Sequence, residues 1–195
     1  MTITGLVLAA GSSTRLGQPK QLLPFRGRTL LDASLAVARA CPFDQVLVTV
    51  GAAADDVRAR VDLREVEVVE NPEPTAGCSS SIVAALAHVD PAATGLVLLL
   101  GDQPGVTPDA VEVLLLAGAD SPLAVIRYDD GLGHPFWFRR DVFADLALLR
   151  GDKAVWKLLE SGRHPVREVR VEAPVPLDVD TPEDYDALLA LEAVR

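Results

Sequence analysis

The densest set of chemically useful side chains lies near the start, in Leu8-Ala9-Ala10-Gly11-Ser12-Ser13-Thr14-Arg15-Leu16-Gly17-Gln18-Pro19-Lys20. Small residues let backbone N–H groups come close to phosphate oxygens. Arg15 can hold a phosphate through two parallel hydrogen bonds, and Lys20 offers a mobile point charge. The spacing is not that of a Walker A loop, because Lys20 does not directly follow Gly17, nor is it G-x-G-x-x-G. Residue chemistry alone leaves two readings open, a phosphate-binding loop and an ordinary polar turn.

Two acidic sites could balance such a loop. Asp102 follows the most apolar run of the chain, Leu96-Val97-Leu98-Leu99-Leu100. A carboxylate facing a polyphosphate is repulsive unless a divalent cation lies between them. Magnesium takes oxygen ligands and is usually held by one or two carboxylates plus substrate phosphates. The bland alternative for Asp102 is a cap on the turn that follows. The second site is Asp178-Val179-Asp180-Thr181-Pro182-Glu183-Asp184. In an extended segment, alternation puts Asp178 and Asp180 on one face, while Thr181 to Asp184 have the types expected to cap a helix.

Other segments offer polar groups at element ends. Asn71-Pro72 closes a strand pattern and Gly77-Cys78-Ser79-Ser80-Ser81 opens a helical one. Helix-start N–H groups and hydroxyls can read a base edge or a phosphate, or the serines can act only as caps. His134 could donate to a phosphate or a ring, although a lone histidine is more often structural. Cys41 and Cys78 lack metal-ligand spacing and are expected as buried spectators. Trp137 and Trp156 are expected in the core or in a pocket wall.

These residues need a scaffold, and the apolar pattern supplies one. Strands are expected at Ile3–Ala9, Gln45–Val50, Val66–Val69, Gly95–Leu100, Leu123–Ile126 and Val166–Val171. Helices are expected at Arg28–Ala40, Asp55–Val61, Ser79–His88, from Thr107 to about Leu116, at Asp152–Leu159 and from Thr181 onward. Such alternation implies an α/β fold with a mostly parallel sheet and helices on both faces. Ligands of such sheets sit beyond the carboxyl ends of the strands, where the polar segments above fall. Residues 1–195 are expected to form one domain.

The formal net charge is −10, which disfavours nucleic acid as a partner. It also means that a bound polyphosphate needs a local cation cluster or a metal. No apolar run reaches the roughly 18 residues of a membrane span, and the start carries no secretory pattern. A cytoplasmic, membrane-free protein is the expectation.

Taken together, these motifs resemble those of a known family. Leu8 to Lys20 is similar to the signature L-A-[AG]-G-x-S-x-R-[ML]-G-x-x-K of the sugar-nucleotide and molybdopterin nucleotidyltransferases. Pro19-Lys20-Gln21-Leu22-Leu23 resembles the molybdopterin cytidylyltransferase branch, and Ala10 is similar to its cytidine-using members. Gly101-Asp102-Gln103-Pro104, Gly133-His134-Pro135, Gly151-Asp152-Lys153 and Asp178 to Asp184 each resemble a further family segment. One departure is Ala154-Val155-Trp156 in place of Gly-Ala-Arg or Gly-Ala-Lys, where a cation gives way to an aromatic.

The resemblance implies a three-layer Rossmann-like domain of the nucleotide-diphospho-sugar transferase type. It implies magnesium-dependent transfer of CMP from CTP to a phosphorylated pterin acceptor, the molybdenum cofactor, with release of pyrophosphate. A molybdoenzyme or a cofactor chaperone would then receive the product. Arg15, Lys20 and Asp102 are the implied catalytic residues, with Asp102 and Asp180 as metal ligands. Leu8, Ala9, Ala10, Gly11, Ser12, Ser13, Asn71, Gly77, Ser79, Ser80 and Ser81 would complete the nucleotide site. Gln103, Gly133, His134, Pro135 and Lys153 fall on the acceptor side. Three alternatives stand beside this reading: an NAD(P)H-dependent reductase of the nicotine blue type, a guanylyltransferase acting on a small phosphorylated acid, and a non-enzymatic nucleotide sensor or cofactor chaperone.

Overall fold

The computed structural model describes residues 1–11, 13 and 15–193. Strand β1 (Ile3–Ala9) leads through a polar loop to a small hairpin, β2 (Pro24–Phe25) and β3 (Arg28–Thr29), and then to helix α1 (Leu30–Ala40). Two strand–helix units follow: β4 (Gln45–Val50) with α2 (Ala54–Arg60), and β5 (Glu67–Glu70) with α3 (Cys78–Leu86). Next come β6 (Gly95–Leu100), α4 (Pro108–Gly118), β7 (Leu123–Arg127) and β8 (Leu132–Arg139). The chain ends with α5 (Phe143–Leu146), α6 (Ala154–Glu160), β9 (Val166–Arg170) and α7 (Pro182–Ala193).

Seven strands form one sheet in the order β5-β4-β1-β6-β8-β7-β9. All neighbours run parallel except at β8, which is antiparallel to both β6 and β7. Strand β1 alternates faces with period two, Ile3, Val7 and Ala9 packing into one core and Leu6 and Leu8 into the other. Leu31 and Leu35 of α1, Val57 of α2 and Leu114 of α4 fill the first core. Ile82 of α3, Leu146 of α5 and Leu158 of α6 fill the second. The result is a three-layer α/β architecture. Among the described residues no helix is long and apolar enough to cross a membrane.

The chain moves from β1 outward to β4 and β5, then returns to place β6 on the other side of β1. Strands leaving in opposite directions open a crevice beyond the carboxyl end of β1. Strand β8 widens it. A four-residue connection, closed by Tyr128 N donating to Gly131 O at 2.8 Å, joins β7 to β8 and makes them antiparallel. The start of β8 therefore lies level with the end of β6, whose pairing with β8 runs only from Gly95↔Arg139 to Leu98↔Phe136.

The helical pattern expected from Arg28 begins at Leu30 because Thr29 caps it. The Thr29 side chain accepts from Asp32 N, and Asp32 reaches back to the cap. Local alternation does not predict strand β8, whose Gly133-His134-Pro135 reads from sequence only as an acceptor-side segment. Its alternation is interrupted by Pro135, which cannot donate to a ladder. The sheet accommodates the interruption with a shift of register between Val125↔Phe136 and Ile126↔Gly133.

Candidate functional site

The start of the loop after β1 is held by Gln21. This buried side chain donates Nε2 to Ala9 O at 2.5 Å and to Gly11 O at 3.0 Å. Ser13 Oγ accepts from Lys20 N at 2.9 Å, so the loop folds back on itself. Gly51, just past β4, lets the backbone come close, since a Cβ there would sit 2.6 Å from Ala10 O. Ser12, expected in this loop, lies outside the described residues.

Lys20 emerges from the loop into a set of carboxylates. Its Nζ is bonded to Asp102 Oδ2 and, at 2.7 Å, to Asp180 Oδ1. Arg15 reaches the other oxygen of Asp180 at 2.9 Å. The side chains of Lys20 and Asp102 are only 15% and 14% exposed, whereas Arg15 is 65% exposed and lies at the rim. These contacts span much of the chain, and two further bonds explain how. Val179 N donates to Asp102 O at 3.2 Å, and Gln103 Nε2 donates to Pro176 O at 3.2 Å. They lash the segment before α7 to the exit of β6. Val179 is fully buried, and its neighbours Asp178 and Asp180 both line the cleft. The Thr181 and Asp184 pair then caps α7, with Thr181 N donating to Asp184 Oδ2 at 2.8 Å and Asp184 N to Thr181 Oγ1 at 3.2 Å.

The electrostatics show a surplus of negative charge. Burial alone would lower the Lys20 ammonium, but Asp102 and then Asp180 more than offset this and raise it above its ordinary value. The hydrogen bond from Lys20 holds Asp180 below the usual carboxylate range. Asp178 is pushed up to about 6, by burial first and then by Asp102 and Asp180. Two cations therefore do not neutralise the three carboxylates.

A cleft of about 580 Å³ opens here. Leu8 to Gly11 and Lys20 line it together with Gly77, Cys78 and Ser81. Part of the lining is aromatic: His134 lies tilted against Phe136 at 4.2 Å between centroids, and Trp156 meets Phe136 edge-on at 5.0 Å. Burial pushes the His134 imidazole down to about 3, so it is neutral at physiological pH. Cys78, expected as a buried spectator, instead lines the cleft. Burial, then Asp152 and Asp102, push its thiol up to about 11, so it stays protonated.

The wall at α3 is built from distant groups. Gly77 has φ 95°, and a Cβ there would lie 2.7 Å from Asp152 Oδ1 and 2.8 Å from Asp152 N. The same Asp152 Oδ1 accepts from Cys78 N at 3.0 Å, so the first donor of α3 is satisfied from α6's side. The reading of the serines as caps does not hold at the cap position, where Gly77 offers no side chain. Asn71 instead donates Nδ2 to Ser80 Oγ at 2.8 Å and to Ser81 Oγ at 2.9 Å.

Of the expected site residues, Leu8, Ala9, Ala10, Gly11, Lys20, Gly77, Ser81, Asp102, His134 and Asp180 line the cleft together. Asn71, Ser79 and Ser80 do not line it, Ser79 being buried at 2% exposure, and Ser13 lines a separate depression with Gly17 and Pro19. Four residues expected on the acceptor side do not line the cleft. Gln103 is buried against Pro176. Gly133 packs under Tyr128 and Val175. Pro135 is buried in β8. Lys153 is exposed at the N-cap of α6 and does not line the cleft, whereas its neighbour Asp152 does. Gln21, Asp152 and Phe136 also serve the site: Gln21 braces the loop after β1, Asp152 meets Cys78 from 74 positions away, and Phe136 sits between His134 and Trp156.

Residues 5–168 match the MobA-like NTP transferase domain. The chain belongs to this family. It is therefore a nucleotidyltransferase, built like other enzymes of the nucleotide-diphospho-sugar transferase type. The Bacillus subtilis purine catabolism protein PucB is 32% identical, covering 94% of each chain. The Paenarthrobacter nicotinovorans nicotine blue oxidoreductase is 35% identical over 71% of this transferase and 67% of that protein. The Escherichia coli molybdenum cofactor cytidylyltransferase is 28% identical over 92% of each. Among solved structures, a Mycobacterium sp. strain JC1 protein is 56% identical with a TM-score of 0.93, covering 98% of this chain and 96% of that one. A Mycobacterium tuberculosis H37Rv protein in complex with manganese is 54% identical with a TM-score of 0.87, covering 97% and 99%.

The residues of this transferase suit a hard divalent cation. The donors are carboxylate oxygens, and such an ion would offset the Asp102 and Asp180 charges that add to burial in lifting Asp178. Among the described residues no three His, Cys, Asp or Glu side chains converge tightly enough to hold an ion alone. Substrate oxygens would have to complete the shell.

Proposed function

We propose that this cleft transfers CMP from CTP to the terminal phosphate of a molybdopterin-type acceptor and releases pyrophosphate. The observation that carries the reading is the convergence of Lys20 and Arg15 from the β1 loop on Asp102 and Asp180. The cytidylyltransferase among the relatives and the Ala10 variant of the loop favour cytidine and the pterin acceptor.

The backbone of the β1 loop, with Ser12 and Ser13, would receive the triphosphate, and Arg15 and Lys20 would hold its oxygens. Gly77 and Ser81 would face the base, with Asn71, Ser79 and Ser80 shaping that wall. Asp102 and Asp180 would hold magnesium or manganese, which would supply charge neutralisation for the phosphates. An acceptor phosphate oxygen attacks the α-phosphorus of CTP and forms a new P–O bond. The bond from that phosphorus to the bridging oxygen breaks, and pyrophosphate leaves with the electron pair. The attacking oxygen is already anionic, so no general base is required, which agrees with a neutral His134. His134, Phe136 and Trp156 would face the acceptor ring.

The test is a thermal-shift panel followed by turnover. CTP with Mg²⁺ should raise Tm more than GTP with Mg²⁺, and pyrophosphate should appear with the pterin acceptor. Stabilisation by NAD(P)H without metal, and none by CTP, would favour the reductase reading suggested by the nicotine blue relative. Tight Mg²⁺–CTP binding with no pyrophosphate from any pterin would favour a sensor or chaperone.

A further inference from the structure

Lys20 occupies the gap between the two carboxylates that the proposed reaction assigns to the metal. Its ammonium is bonded to Asp102 and Asp180 at once, and it is as buried as Asp102. Its backbone is fixed, because its N–H is tied to Ser13 Oγ at 2.9 Å. Its side chain is a flexible four-carbon stem. That stem runs beside the glycine loop: Lys20 Cε lies 3.7 Å from the point a Gly11 Cβ would occupy. Rotation about the stem would carry the ammonium from the carboxylates to a phosphate lying on that loop.

An ammonium and a divalent ion cannot both take the facing oxygens of Asp102 and Asp180. They exclude each other by volume and repel by charge. We infer that Lys20 is an internal competitor of the metal. In the ligand-free protein it holds the two carboxylates together, and it releases them when a triphosphate supplies oxygens for its ammonium. Metal and nucleotide then bind with positive coupling, each weakly alone, and by linkage each strengthens the other by the same factor. Arg15 holds only the outer oxygen of Asp180 and is largely exposed, so its removal should matter less. The inference rests on Asp102 and Asp180 being the metal ligands.

Mn²⁺ binding to the full chain, followed by electron paramagnetic resonance or calorimetry without nucleotide, tests it. Lys20→Met should bind Mn²⁺ about tenfold more tightly than the unmodified protein, or better. Lys20→Arg, which keeps a cation in the gap, should stay weak. If Lys20→Met does not fold, Lys20→Gln serves the same comparison. Adding Asp102→Asn to Lys20→Met should abolish the gain. In the unmodified protein, a CTP analogue that cannot be cleaved at the α–β bond should itself tighten Mn²⁺ binding. Equal Mn²⁺ affinity in the unmodified protein and Lys20→Met would overturn the competition and leave the metal site standing. A gain that survives Asp102→Asn would place the ion elsewhere and overturn it too. No Mn²⁺ binding by any variant, with or without the analogue, would remove the metal reading of Asp102 and Asp180 and this inference with it.

Discussion

Asp102→Asn should leave the protein folded and remove nearly all turnover. The substitution keeps the shape of the side chain and deletes its charge. Lys20 is not orphaned, because Asp180 Oδ1 remains at 2.7 Å. Losing one charge-assisted hydrogen bond in a mostly buried setting costs roughly 1.5–3 kcal/mol. Relief of Asp178, which Asp102 helps push up to about 6, acts in the opposite direction. A net loss of about 1–2 kcal/mol follows, or a Tm lower by roughly 2–8 °C for a chain of this size. The reaction suffers more. Removing a group that stabilises charge in the transition state commonly costs about 10²–10³-fold in kcat, close to 3–4 kcal/mol. Two measurements on one preparation decide it: a thermal melt, and Mg²⁺-dependent pyrophosphate release from CTP with the pterin acceptor at saturation. Turnover within tenfold of the unmodified protein at ordinary Mg²⁺, with a near-normal melt, would refute the role of Asp102 and the charge argument behind it.

Three further outcomes follow from the same geometry. Asn71→Ala removes buried bonds to Ser80, Ser81 and the Glu73 N–H and should cost roughly 1–3 kcal/mol in urea denaturation; an unchanged midpoint would show that the α3 wall does not depend on it. Gly77→Ala forces a side chain into a glycine-only conformation and against Asp152, so a loss of about 3 kcal/mol is expected, with CTP binding weakened in calorimetry; normal stability and affinity would sink the packing argument. His134 is neutral when folded, with its imidazole pushed down to about 3, while the unfolded residue titrates near 6.5. The unfolded chain thus gains a proton first, and the stability contributed by His134 is complete above about pH 6.5 and declines as pH falls toward 3. The decline is at most about 2 kcal/mol between pH 7 and pH 5. Denaturation of His134→Gln should show a flatter profile over that range, and parallel profiles would count against burial of a neutral imidazole.

Much of the fold was legible from local pattern. The expected strand Ile3–Ala9 and the run Gly95–Leu100 agree with β1 and β6. Thr107 caps α4 by accepting from Ala110 N at 3.2 Å, as its type and position imply. Strand β8 was not legible, because Gly133 and Pro135 break the alternation and only a shifted register on β7 makes room for them. That Gly11, Lys20, Asp102 and Asp180 lie near element ends was legible, and the structure brings all four to one cleft. The site was not legible where a side chain serves another segment. Lys153 looked like the useful charge of Gly151-Asp152-Lys153, yet Asp152 is the residue that faces the cleft and caps α3.

By itself the amino-acid order determined most of the strand-forming stretches, where most helices start, and that cations, glycines and carboxylates fall between elements. Those properties depend on neighbours within a few positions, through side-chain alternation and capping. Tertiary structure alone decided which strand ends share one crevice. The bonds that do so join residues such as Lys20 and Asp180, or Cys78 and Asp152, far apart along the chain. Such pairs form only once two hydrophobic cores have set the order of strands, and no local periodicity encodes that order.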